Sequence, residues 1–134
     1  MSVSCEERAR EVLAAAGIEF AYLFGSRASG EQRQDSDADV AVMARREVGL
    51  LEQARLADRL ASALGVSEVD LVVLGSASIE LRGAVVQEGR LLFSADEPRR
   101  VAFEVRTRSE YLDYLPTLRE HTRRYLRGVA AHGL

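Results

Sequence analysis

The chain has 134 residues, enough to bury a hydrophobic core as one domain without disulfide or metal staples. Its composition, 47% hydrophobic and 29% charged, is that of an ordinary globular protein, and a net charge of −3 provides no global field that would attract nucleic acid. The single cysteine excludes an intrachain disulfide, and all 18 basic residues are arginine, which excludes a P-loop lysine and a Schiff-base lysine.

Apolar periodicity and capping residues predict alternating helices and strands. Strands are predicted at residues 18–24, 38–43, 69–74 and 90–93, and helices at residues 4–16, 50–64, 78–87 and from Asp96 onward. Pro116 is expected to kink or break the last helix. The alternation predicts an α/β fold with a small mixed sheet, helices largely on one face, and a C-terminal helical extension. We expect one domain, with an α/β core at 1–95 and a helical segment at 96–134.

Two aspartates at the start of the second predicted strand are the most informative feature. Asp37 and Asp39 are two residues apart, so on a strand both side chains point to the same side of the sheet. Two carboxylates this close raise one another's pKa unless a cation lies between them. Upstream, the Gly25–Ser26 turn offers backbone N–H groups and a hydroxyl that suit phosphate oxygens. Paired carboxylates for Mg²⁺ beside a phosphate cradle indicate chemistry on a nucleoside triphosphate.

A third carboxylate comes from the next predicted strand. Asp70 stands near the start of that strand, and it joins Asp37 and Asp39 in one cluster if the two strands are neighbours. Three carboxylates of this kind could hold two metal ions. A strand-end aspartate that only caps a turn is the alternative for Asp70.

The spacing of these residues resembles a known signature. Gly25-Ser26, ten residues, then Asp37-x-Asp39 is similar to the motif of the polymerase-β-type nucleotidyltransferases. The short length resembles the minimal nucleotidyltransferase (MNT) branch, the antitoxins that are paired with HEPN toxins. The resemblance implies that Gly25 and Ser26 hold the β- and γ-phosphates, that Asp37 and Asp39 bind metal, and that Asp70 is the third carboxylate.

The resemblance also implies a reaction. ATP would be the donor, with two Mg²⁺ ions, and a tyrosine hydroxyl of a HEPN ribonuclease toxin would be the acceptor of AMP. Two alternatives stay open: transfer to a small-molecule hydroxyl such as an aminoglycoside, or an antitoxin that neutralises its partner by binding alone. The sequence fixes neither the base preference nor the oligomeric state, and a homo-oligomer stays open.

Arginines form a second feature. Arg27 flanks the phosphate loop and suits a bidentate phosphate contact, although a surface arginine is an equal alternative. The C-terminal segment is rich in arginine with interspersed acids, which favours a helix with i,i+4 ion pairs over RNA binding. Tyr111 and Tyr114 share a face of that helix and belong either to the core or to a partner surface.

No apolar run approaches the length of a membrane span, and the N-terminus lacks the layout of a signal peptide. We therefore expect a cytoplasmic protein with no membrane contact.

Overall fold

The structure, a computed structural model, describes residues 4–25 and 37–131, and for residues 116–131 it describes the backbone alone. The helices and strands follow one another as α1 (Cys5–Ala15), β1 (Ile18–Phe24), β2 (Ala38–Ala44), α2 (Leu50–Leu64), β3 (Val69–Val73), α3 (Ile79–Glu88), β4 (Arg90–Ser94) and α4 (Glu97–Ala131).

The four strands form one mixed sheet in the order β3-β2-β1-β4. β1 pairs antiparallel with β2 and with β4, whereas β2 and β3 are parallel. The central strand β1 is buried at six of its seven positions, as its nearly continuous apolar sequence predicts. The predicted α/β fold with a small mixed sheet is therefore confirmed.

Helices pack on both faces of this sheet. One hydrophobic cluster joins α1 and α2 to the face that carries Leu23 and Val40, with Leu13 and Leu60 at its centre. A second cluster joins α3 and α4 to the opposite face; its buried and half-buried members include Phe20, Tyr22, Ala41, Val72, Val85 and Phe103. The expectation of helices largely on one face is wrong. Strand β1 has apolar side chains on both faces of the sheet, and helices pack on each face to bury them.

The long helix α4 continues past Pro116 to Ala131, so the break that Pro116 predicts does not occur. A proline removes one amide donor from the helix ladder, and the neighbouring turns retain theirs. The predicted ion pairs are present on the first turns: Arg100 contacts Glu97 and Glu104 at 2.7 Å, and Arg108 contacts Glu104 at 3.4 Å.

The two tyrosines of α4 lie beside α3. Tyr111 packs so closely on Gly83 that a Cβ at this glycine would overlap the tyrosine ring. Its ring centroid is 6.4 Å from that of Tyr114, whose hydroxyl bonds to Glu80 of α3. The pair therefore packs on α3 while both side chains stay half-exposed.

No helix within the described ranges is both long and apolar enough to cross a membrane.

Candidate active site

Asp39 and Asp70 stand side by side at one end of the sheet. Asp39 is the second residue of β2, and the strand register places it between Phe24 of β1 and Asp70 of β3. Because side chains alternate along a strand, both aspartates lie on the face of Ala41 and Val72, which is the face covered by α3 and α4. The parallel pairing of β2 with β3 thus brings Asp70 to Asp39.

Asp37 lies two residues before Asp39, immediately ahead of β2, and its side chain is exposed. Burial raises the pKa of the half-buried Asp39 carboxyl, and the neighbouring charge of Asp70, a hydrogen bond with Asp70 and the charge of Asp37 raise it further. Asp39 is therefore close enough to Asp70 and to Asp37 to be repelled by both. This repulsion is the electrostatic condition that a bound cation would relieve.

The donor set fits a hard divalent cation, since Mg²⁺ prefers carboxylate oxygens. Within residues 4–25 and 37–131, no group of three or more histidine, cysteine, aspartate or glutamate side chains forms a ready metal site. Mg²⁺ is usually bound by one or two carboxylates together with substrate phosphates rather than by a complete protein cage. The cluster matches that pattern, in which the nucleotide supplies the remaining ligands.

Gly25 follows β1 directly and contacts the same cluster. Its φ of 76° lies in the left-handed region, which side chains with a Cβ rarely adopt. A Cβ at this position would lie 2.5 Å from Oδ2 of Asp39. Glycine is therefore needed at position 25 for its backbone conformation and because a side chain would overlap the Asp39 carboxylate. The turn after β1 thus contacts an aspartate of the same sequence motif.

Ser26 and Arg27 lie outside the described residues. Their roles at the phosphates stay predictions.

One contact near the site was not foreseen from the sequence. The hydroxyl of Tyr22, a buried residue of β1, donates a 2.6 Å hydrogen bond to Oε2 of Glu104 on α4. The same oxygen accepts a 2.7 Å bond from Arg100. Burial and the adjacent carboxylate raise the pKa of Tyr22 far above its usual range, so the hydroxyl stays a donor. The contact holds α4 against β1, the strand that precedes Gly25. In the sequence, the i,i+4 spacing of Arg100 and Glu104 predicts their ion pair, but nothing local predicts the bond from Tyr22.

The family model described as polymerase beta, nucleotidyltransferase matches residues 7–98, a segment that contains Gly25, Asp39 and Asp70. The chain belongs to the polymerase-β nucleotidyltransferase family. The resemblance inferred from the spacing of its glycine, serine and aspartates is thereby confirmed.

Among characterised relatives, the chain is 42% identical over 94 residues to the protein adenylyltransferase MntA of Shewanella oneidensis. That match covers 70% of this chain and 66% of the relative, just under two thirds of the latter's length.

Solved structures extend the similarity. A chain of a toxin–antitoxin complex with AMP-PNP is 34% identical, with a TM-score of 0.75, and the match covers 91% of this chain and 98% of that one. A chain from the complex of the tri-AMPylated Shewanella oneidensis HEPN toxin with its MNT antitoxin is 31% identical, with a TM-score of 0.71 and coverage of 92% and 96%. The likeness to the MNT branch thus extends over nearly the whole chain.

Proposed function

We propose that this chain is a Mg²⁺-dependent nucleotidyltransferase that transfers AMP from ATP to a tyrosine hydroxyl of a HEPN toxin, and so acts as an antitoxin. The observation that carries the proposal is the cluster of Asp37, Asp39 and Asp70 beside Gly25. The relatives support the donor and the acceptor class, because similar chains occur with AMP-PNP and with a tri-AMPylated HEPN toxin. Since the reaction consumes ATP, we propose the cytoplasm as its compartment.

Asp37, Asp39 and Asp70 would hold two Mg²⁺ ions, which neutralise phosphate charge and lower the pKa of an attacking hydroxyl when bound. Without a Cβ at Gly25, backbone N–H groups of the turn would contact the β- and γ-phosphates, with Ser26 supplying a hydroxyl and Arg27 a guanidinium. These groups orient the triphosphate so that its α-phosphorus faces the carboxylates. Catalysis of this kind depends mainly on positioning and charge compensation.

In the proposed transfer, the tyrosine oxygen forms a bond to the α-phosphorus from the side opposite the leaving group. The bond between the α-phosphorus and the bridging oxygen breaks, and its electron pair leaves with pyrophosphate. The hydroxyl proton would pass to a carboxylate of the cluster, and Asp70 is exposed to solvent.

The acceptor is tested by competition. The purified chain, labelled ATP and Mg²⁺ are combined with a co-expressed HEPN toxin, with an aminoglycoside, or with both. We expect label on the toxin alone. Label on the aminoglycoside with none on the toxin would move the assignment to small-molecule modification. A toxin that loses its ribonuclease activity without label would indicate neutralisation by binding.

A further inference from the structure

A cavity of about 360 Å³ opens between the sheet and α4, away from the aspartate cluster. Phe20 and Met43 line it from the sheet, and Phe103 and Thr107 line it from α4. Met43 is four residues along β2 from Asp39, which corresponds to about 13 Å at ~3.3 Å per residue. Both positions lie on the face covered by α3 and α4. The cavity therefore shares a face with the candidate active site but is separate from it.

Three arginines line this cavity: Arg82, Arg99 and Arg106. Arg99 uses its Nε for a 2.8 Å ion pair with Glu19, and Arg82 directs one terminal nitrogen to Glu110 at 3.6 Å. A guanidinium has five N–H donors, so both retain donors for another acceptor. Arg106, an exposed residue, takes part in none of the ion pairs or hydrogen bonds found among the described residues. The cavity thus has an uncompensated positive charge and spare donors.

Thr107 provides an independent sign of a ligand. Its side chain is 1% exposed, and its buried Oγ1 has no hydrogen-bond partner. An unsatisfied buried hydroxyl costs about 1–3 kcal/mol, so a ligand that bonds to Thr107 would recover that cost on binding. Thr107 is one of the residues that line the cavity, so an occupant that reaches this hydroxyl would satisfy it.

The remaining lining is apolar and aromatic. The rings of Phe20 and Phe103 lie 5.3 Å apart, centroid to centroid. Pockets of about 300–1,000 Å³ with apolar walls and a few directed polar groups are typical of small-molecule sites. Arginines favour phosphate and aromatic walls favour a flat ring, so the occupant should combine the two.

We propose that this cavity binds an AMP group, with the phosphate at Arg106 and the base against the half-buried ring of Phe103. The proposal rests on the proposed function, which produces an acceptor that carries AMP. The related toxin is tri-AMPylated, so an enzyme of this kind meets acceptors that are already modified. Binding of the attached AMP in this cavity keeps a modified acceptor on the enzyme for a further transfer. Free AMP carries the same phosphate and base and is the alternative occupant of the cavity.

Calorimetry with AMP in EDTA tests the cavity without any transfer reaction. Phosphate should not bind at the metal-free carboxylates, so we expect binding that Asp39→Asn leaves in place. Arg106→Ala should weaken it about tenfold, the loss of one charge-assisted bond. Thr107→Val should weaken it about threefold to fivefold while leaving the free protein at least as stable, because the variant removes an unsatisfied hydroxyl.

The matched control is Arg55→Ala, which removes an exposed arginine of α2 that does not line the cavity. This variant should bind AMP as the wild type does. No binding at millimolar AMP would overturn the proposal even where toxin transfer succeeds. Binding that requires Mg²⁺ and is lost in Asp39→Asn would likewise overturn it, because the ligand would then be at the carboxylates.

Intact-mass analysis of the toxin separates the two sources. If acceptor-bound AMP occupies the cavity, Arg106→Ala lowers the ratio of multiply to singly modified toxin relative to Arg55→Ala. If that ratio stays constant while free AMP still binds, the cavity holds free AMP. If the wild-type chain transfers no AMP to the toxin, the proposed function is refuted. The calorimetric test of AMP binding in the cavity still applies in that case.

Discussion

Replacing Gly25 with alanine is the sharpest perturbation that the structure offers. The added Cβ has two effects. It places a side chain on a backbone with φ of 76°, and it would lie 2.5 Å from Oδ2 of Asp39. The first effect acts on stability, whereas the second displaces a proposed metal ligand.

Gly17 separates these two effects. Its φ is 73°, almost the same, but a Cβ there meets no atom within 4 Å. Left-handed backbone costs a non-glycine residue roughly 1–2 kcal/mol, so both alanine variants should lose about that much stability. Only Gly25→Ala must also move the Asp39 carboxylate, and a displacement near 1 Å at a catalytic group can cost about 100-fold in rate.

Urea unfolding and AMP transfer are measured on both variants. We expect similar losses of unfolding free energy, and a loss of transfer of about 100-fold that is confined to Gly25→Ala. If Gly25→Ala transfers AMP as fast as Gly17→Ala, Gly25 is only a structural turn and the close contact with Asp39 has no catalytic meaning.

Three further predictions concern charge and hydrogen bonding. The pKa of Asp39 is higher in the folded chain than in the unfolded chain, so the folded state loses stability as the pH rises through the folded pKa and the carboxyl ionises. Asp39→Asn should therefore raise the melting temperature in EDTA at pH 7. Mg²⁺ should stabilise the wild type more than this variant. Glu6, whose pKa the bonded Arg90 lowers, contributes above its unfolded pKa and less as the pH falls through the folded one. Glu6→Gln should then cost about 0.2–1 kcal/mol at pH 7 and almost nothing at pH 2, by urea unfolding. Tyr22→Phe removes the bond to Glu104 and should cost about 1.5–3 kcal/mol by the same measurement, and an unchanged midpoint would show that this bond is not stabilising.

Much of the site could be predicted from local pattern. The period of two along a strand predicts that Asp37 and Asp39 face the same way, and the acidic start of the third strand predicts a partner at Asp70. The register of β2 and β3 confirms that Asp39 and Asp70 are neighbours. These inferences needed only strand geometry and the repulsion of like charges.

The remaining features depend on tertiary contacts that local pattern does not encode. The contact between Gly25 and Asp39 requires the antiparallel pairing of β1 with β2, and the Tyr22–Glu104 bond joins residues 82 apart in sequence. Of the kink or break expected at Pro116, the break does not occur, since α4 stays helical to Ala131 and Pro116 removes only one N–H donor from a 35-residue helix.

The most direct test of the central claim is the intact mass of a HEPN toxin incubated with this chain, ATP and Mg²⁺. Wild-type chain should add AMP increments to the toxin, and the Asp37→Asn/Asp39→Asn double variant, shown to be folded and still bound to the toxin, should add none. A double variant that modifies the toxin at the wild-type rate would contradict the assignment of these carboxylates. A toxin left unmodified by the wild-type chain would contradict the transfer itself.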